Sequence, residues 1–112
     1  MKLKLIISSP EGVIFNGEAD FISLTLVDGE IGILPRRENF IGALDEGPIR
    51  IKPHGKTLFV PGGLVMKTGQ EVHLTVPFAI EAQSYEEYWD ILEKKYMEAD
   101  ERIKKLKEIN IG

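Results

Sequence analysis

Cysteine is absent from the 112-residue chain. That excludes a disulfide framework, a thiolate nucleophile and any Cys-based zinc site, and it fits a reducing compartment. Histidine is scarce, with only His54 and His73, and neither stands at a recognisable metal or triad spacing from Asp, Glu or Ser. No catalytic residues, no metal site and no cofactor are therefore expected, and a small hydrolytic enzyme is nearly excluded. Basic charge is also in short supply: 14 Lys+Arg against 18 Asp+Glu leave a net charge of −4. With no basic run, the electrostatic footprint of a nucleic-acid binder is missing. Long apolar runs are missing too. The N-terminal run from Met1 to Ile7 is broken by Lys4 and stops at Ser8-Ser9-Pro10, so it reads as a first strand rather than a leader. No stretch approaches bilayer length, and no direct membrane insertion is expected. Amides are few, three Asn and two Gln beside the charged residues, a bias seen in thermophiles.

What is present is ordinary for a folded domain, 43% hydrophobic and 29% charged, and the chain is long enough for one real core but not for two. All six prolines and ten of the eleven glycines lie at or before Pro77. In that region short β-branched runs alternate with turn signals, at Leu3 to Ser8, Phe21 to Val27, Glu30 to Leu34, Ile49 to Lys52, Thr57 to Val60, Leu64 to Lys67 and Val72 to Val76. The spacing predicts a β-sandwich or barrel of short antiparallel strands over residues 1–82. Pro53-His54-Gly55-Lys56 and Thr68-Gly69-Gln70-Glu71 read as tight hairpins. Val72, Leu74 and Val76 alternate with His73 and Thr75, one buried face and one wet face.

From residue 83 to 112 the period becomes helical. Ser84 and Glu87 form a capping box, Ser84 accepting from the Glu87 amide and Glu87 reaching back to Ser84. Tyr85, Trp89 (with Tyr88), Leu92, Tyr96, Ala99, Ile103 and Leu106 follow alternating steps of three and four, a heptad seam. Acid-first pairs at i,i+4 (Asp90 with Lys94, Glu98 with Arg102, Asp100 with Lys104, Glu101 with Lys105) each add about 0.2–0.5 kcal/mol. One helix of about 37 Å is predicted. Such a helix is marginal alone, so its seam docks either on the sandwich of this chain or on another subunit.

Among candidate sites, Gly55-Lys56-Thr57 mimics the end of a phosphate loop, but Arg50 stands where the first glycine belongs and a strand follows. Gly29-Glu30-Ile31-Gly32 and Pro61-Gly62-Gly63 open no helix and make no dinucleotide fingerprint. Asp28, Glu30, Asp45 and Glu46 occupy turn-like segments that either simply face water or, at Asp28 and Glu30, present a docking loop. Arg36-Arg37 is either a solvated pair or a positive anchor.

The order Ser9-Pro10-Glu11-Gly12-Val13-Ile14-Phe15-Asn16-Gly17-Glu18, then Gly29-Glu30-Ile31-Gly32-Ile33-Leu34-Pro35, then Phe59-Val60-Pro61-Gly62-Gly63, ending in a charged helix, resembles the epsilon subunit of F-type ATP synthases. The resemblance implies an N-terminal β-sandwich and a C-terminal helical part on the rotating central stalk, bound to the gamma subunit and the c-subunit ring. Membership would place the chain on the cytoplasmic face of the cell membrane as a peripheral component, coupling proton or sodium flow to ATP synthesis and restraining hydrolysis. Carried over by motif, Asp28, Gly29 and Glu30 contact the c-ring. Ser9, Pro35, Arg36 and Arg37 face gamma, with Arg36-Arg37 replacing the usual Gly-His. Pro61 replaces the usual small residue before the paired glycines and implies a stiffer turn.

Family members typically carry two C-terminal helices that act as a brake, and some bind ATP through an Ile/Leu-Asp-x-x-Arg-Ala motif. This chain has residues for one helix. An acid, Glu87 or Glu93 depending on register, stands where Arg would meet phosphates, so neither ATP sensing nor the two-helix brake is expected. A weaker brake would act through Lys94, Lys95, Arg102, Lys104 and Lys105 against acidic residues of the alpha and beta subunits in the catalytic head. The alternative function is a stand-alone ligand-binding module that senses nucleotide.

Overall fold

The computed structural model describes residues 1–95 and Met97. By contact the chain divides into two compact units, Met1–Ala82 and Gln83–Gly112. The first contains ten strands: β1 (Leu3–Ser9), β2 (Gly12–Ala19), β3 (Phe21–Leu26), β4 (Gly29–Ile33), β5 (Phe40–Leu44), β6 (Gly47–Lys52), β7 (Lys56–Val60), β8 (Gly63–Thr68), β9 (Glu71–Thr75) and β10 (Ile80–Glu81). They follow the order β10-β7-β6-β3-β5-β8-β9-β1-β2, with β4 attached to β3. This one sheet curls on itself into the β-sandwich. Every pairing is antiparallel except β1 with β9, which run parallel with Leu5 opposite Val72 and Ile7 opposite Leu74. The parallel pair arises because the first and ninth strands, joined by no hairpin, become neighbours only when the sheet curls.

The alternation read from the sequence packs the interior. Leu3, Leu5 and Ile7 of β1, Ile22 and Leu24 of β3, Ile49 and Ile51 of β6, and Val72 and Leu74 of β9 are all buried in one cluster. Each fully buried side chain of this kind contributes about 1.5–3 kcal/mol relative to exposure. Strands β2, β5 and β10 have no counterpart among the predicted runs. Glycine and Asn dilute the pattern of β2, Gly42 interrupts β5, and β10 has only two residues. At Gly42 an added Cβ would sit 3.2 Å from the Leu26 side chain, so the missing side chain is what lets β5 lie against Leu26.

Both predicted hairpins form, joining β6 to β7 and β8 to β9, and Gly55 and Gly69 supply the left-handed residues with φ of 65° and 61°. The first hairpin also closes the sheet. His54 at its tip donates from Nε2 to the Glu18 carbonyl of edge strand β2 at 2.6 Å, and its ring meets Phe15 edge-on at 5.7 Å. His54 is thus a structural latch on an edge.

In the second unit helix α1 covers residues 85–95. Ser84 Oγ accepts the Glu87 amide at 3.2 Å, while the Glu87 carboxylate accepts from the amide of Gln83 at 2.9 Å. The cap therefore forms with its return bond one residue earlier than the Ser84 amide. On α1, Tyr88 is fully buried and Ile91 and Leu92 are half-buried, whereas Tyr85 and Trp89 are each 48% exposed. The buried stripe is rotated toward Tyr88 from the seam drawn through Tyr85 and Trp89. Tyr96, Ala99, Ile103 and Leu106 of that seam, and the later part of the predicted helix, lie outside the described residues.

Candidate interaction surfaces

The β3–β4 hairpin carries the acidic loop. Leu26 pairs with Gly29 and Thr25 with Glu30, so Val27 and Asp28 form the tip and Gly29 and Glu30 begin β4. Gly29 has φ +129°, a conformation that L side chains rarely adopt. Asp28, Gly29 and Glu30 are all exposed. Glu30 lies diagonally across β3 from Arg50, with 3.8 Å between carboxylate and guanidinium. With both side chains half exposed or more, the pair orients Glu30 more than it stabilises the fold. The amide of Val27, in the tip itself, donates to the Ala43 carbonyl of β5 at 3.0 Å, which ties the loop to the sheet.

The Leu34–Asn39 loop carries the basic pair. Its turn is closed by the Arg37 amide donating to the Leu34 carbonyl at 3.0 Å, and Arg36 and Arg37 are exposed. The Arg37 guanidinium stands 5.1 Å from the Phe40 ring centroid, a cation–π arrangement that limits its rotamers. Asn39, Phe40, Ile41, Met66, Lys67 and Thr68 line one shallow depression beside this loop.

Between the two loops lies a surface that the sequence reading missed. Ile41 is 76% exposed, Leu64 58% and Met66 44%. Ile41 pairs with Met66, and Ala43 pairs with Leu64. The rows continue through His73 and Ile6 and through Thr75 and Ser8 to Val13, and directly paired residues share a face. The result is an outward apolar patch of Ile41, Leu64 and Met66 on β5 and β8, continued by Ile6 and Val13 across the polar His73, Thr75 and Ser8. The signal was present in β8, where Leu64 and Met66 alternate with Val65 and Lys67. An apolar residue on both faces of a short strand is what distinguishes a covered surface from a wet one.

Ser9 sits in the β1–β2 turn, where its hydroxyl accepts the Glu11 amide at 3.2 Å and donates to the Gly12 carbonyl at 3.3 Å. It is not beside Arg36 and Arg37. Ser9 ends β1, whereas the arginine loop joins β5 near the β8–β9 hairpin, so roughly 16 Å of strand separates them. Ser9 and the acidic tip instead share one end of the sandwich, linked through Leu44, Gly63 and Thr75. Lys94 and Lys95 are exposed on α1; Arg102, Lys104 and Lys105 lie outside the described residues.

Among the described residues there is no cluster of three or more metal-ligating side chains and no helix long and apolar enough to cross a membrane. The ammonium of Lys2, 2.5 Å from Asp20, is held above the ordinary lysine value by that hydrogen bond.

The model of the delta/epsilon chain β-sandwich domain of ATP synthase matches residues 2–82. ATP synthase epsilon chains of Thermotoga petrophila and Thermotoga maritima are 34% identical over 109 residues, covering 96% of this chain and 94% of theirs. The chain belongs to the ATP synthase epsilon family. The epsilon chain of Carboxydothermus hydrogenoformans is 40% identical over 73 residues, 63% of this chain and 54% of that one. The epsilon-family fold recurs in a chain of the Euglena gracilis mitochondrial ATP synthase, solved with OSCP, F1 and c-ring. That match has a TM-score of 0.69 at 18% identity, over 83% of this chain and 62% of that one. A chain of the Tetrahymena thermophila central stalk and c-ring superposes with a TM-score of 0.62 at 12% identity, covering 87% and 91%. The short epsilon-family chain thus spans less than two thirds of the Euglena chain it resembles.

Proposed function

We propose that this epsilon-family chain is a non-catalytic subunit of the central stalk of an ATP synthase. It would link the c-ring to gamma and restrain ATP hydrolysis from the cytoplasmic face of the membrane. The observation that carries the reading is the match to ATP synthase epsilon chains across 96% of this chain and 94% of theirs. In this reading each contact has its own part of the sandwich. The exposed tip Asp28-Gly29-Glu30 meets the c-ring, since a short hairpin bearing carboxylates on a rigid sheet presents charge at little entropic cost. Ser9 at that same end, the Pro35-Arg36-Arg37 loop at the other and the apolar face between them meet gamma. Together they combine an apolar centre with a charged margin, as stable interfaces do. Torque would pass through the sandwich as a body, so stiffness matters more than any single side chain.

Lys94 and Lys95, with Arg102, Lys104 and Lys105, would supply the brake by meeting acidic residues of the alpha and beta subunits. The deciding experiment is co-purification with gamma of the wild type, of Arg36→Glu/Arg37→Glu and of a truncation after Gln83. The truncated form is also assembled into the whole enzyme to measure hydrolysis. A complex weakened by the arginine reversals and hydrolysis released by the truncation are expected. No complex with the intact chain would sink the stalk reading, and unchanged hydrolysis would sink the brake. Calorimetry with MgATP is expected to give no binding heat; a saturable heat would favour a nucleotide-sensing module instead.

A further inference from the structure

Lys67 is the one charged side chain buried among the described residues, with 2% of its surface exposed. It ends the inward row of β8, two residues after Val65, where an apolar side chain would simply extend the core. A buried ammonium is costly unless its protons find acceptors. Here the acceptors are two backbone carbonyls, those of Arg37 and Gly69, the second at 2.6 Å. A further bond crosses the same junction, from the Gly69 amide to Asn39 Oδ1 at 2.8 Å. The Leu34–Asn39 loop is therefore tied at two points to the β8–β9 hairpin, which is itself fixed by the left-handed Gly69. Beyond these ties the Arg37 amide closes the turn onto Leu34 and its guanidinium lies over Phe40.

We infer that Lys67 is a positioning residue for the Arg36–Arg37 surface: from inside the sandwich it fixes the backbone at Arg37, so that the two guanidiniums meet carboxylates of a partner from a set geometry. The identity of the partner as gamma rests on the stalk reading; the positioning itself is a property of the free chain. Fixing the loop in advance removes an ordering cost that binding would otherwise carry. Lys67 itself touches no partner, because it is buried beneath the loop.

The test compares wild type, Lys67→Met and Asn39→Ala. Thermal unfolding and site-resolved amide hydrogen exchange are measured on each free full-length chain, followed by gamma affinity. Met fills a similar apolar volume, so Lys67→Met should keep or raise Tm. The Arg37 and Gly69 amides should nevertheless exchange about tenfold faster or more, because hydrogen bonds to charged groups exceed the free energy of one factor of ten. Exchange unchanged at both amides overturns the inference. So does a lowered Tm with faster exchange spread evenly over the sheet, which would make Lys67 a core residue only.

Gamma affinity should fall about tenfold with Lys67→Met in the wild-type background, and no further in an Arg36→Ala/Arg37→Ala background. Additive losses would overturn action through the arginines. Should Lys67→Met fail to fold, Lys67→Gln, which removes the charge and keeps a polar end, is read at the same two amides: faster exchange is expected and unchanged exchange overturns the inference, while Asn39→Ala gauges the second tie alone. If the wild-type chain does not bind gamma, the stalk reading fails and the exchange measurement alone decides the positioning role.

Discussion

Replacing Ile41 by Thr separates a partner-facing apolar face from an ordinary piece of surface. Thr keeps the β-branch that suits a strand and removes most of the apolar area. Ile41 is 76% exposed in the free chain, so only about a quarter of its side chain is sheltered there. Full burial of such a side chain contributes about 1.5–3 kcal/mol, and a quarter of that is roughly 0.5 kcal/mol. For a domain of this size the free chain should lose only about 2–4 °C in Tm. The remaining three quarters becomes available on docking. Covering it against gamma would contribute about 1–2 kcal/mol, so Ile41→Thr should weaken the complex about 5- to 30-fold. Leu64→Thr on the neighbouring row should act in the same direction. The assay is a titration of gamma followed by calorimetry, with thermal unfolding of each free variant beside it. An affinity within twofold of wild type at a Tm lowered by no more than those few degrees would refute the reasoning, because Ile41 would then face water in the complex as well. A large fall in Tm would refute it in the other direction by making Ile41 part of the fold.

Gly63→Ala should be among the most damaging single-methyl changes in the sandwich. Its Cβ would lie 2.3 Å from the Thr75 carbonyl oxygen, at φ +145°, so thermal unfolding should show a loss of about 2 kcal/mol or more. Ser84→Ala removes the acceptor of the Glu87 amide and should cost about 1 kcal/mol of helix stability, seen as faster amide exchange in the first turn of α1 and unchanged exchange in the sandwich. Lys2 has its pKa raised by Asp20. The stabilisation from that contact is therefore complete below the ordinary lysine value of 10.5 and is lost as pH rises past it through the raised value. From neutral pH upward the difference in Tm between wild type and Lys2→Met should shrink only above that pH, and a difference that is already lost between pH 7 and 9 would contradict the assignment.

The sandwich could be read in advance because its buried faces are written at period two. Leu3, Leu5 and Ile7, or Val72 and Leu74, announce both strand and inward face without knowledge of their neighbours. The same holds for Gly55 and Gly69, whose left-handed turns depend on local backbone sterics, and for Ser84, whose cap is made within four residues. The acidic tip and the arginine loop were legible as candidates because turn chemistry and charge sit in adjacent residues. Strands β2 and β5 were not legible. In β2 Gly12, Asn16 and Gly17 dilute the alternation, while in β5 Gly42 is needed for a close contact with Leu26 of β3, and that contact exists only after separate strands have met.

What the sequence determined by itself is therefore local: the strand periods, the turns, the change of grammar near residue 83, and the motif order that carries the family. Tertiary structure alone decided the rest. It made β1 and β9 parallel neighbours, set Ser9 and Arg37 at opposite ends of one face, gathered Ile41, Leu64 and Met66 into an outward apolar surface, and gave Lys67 its acceptors in Arg37 and Gly69. The physical reason is separation along the chain. Periodicity and turn chemistry act within a few residues, whereas a shared face and a bridging ammonium join residues about thirty apart, whose encounter is fixed only when the whole sheet closes.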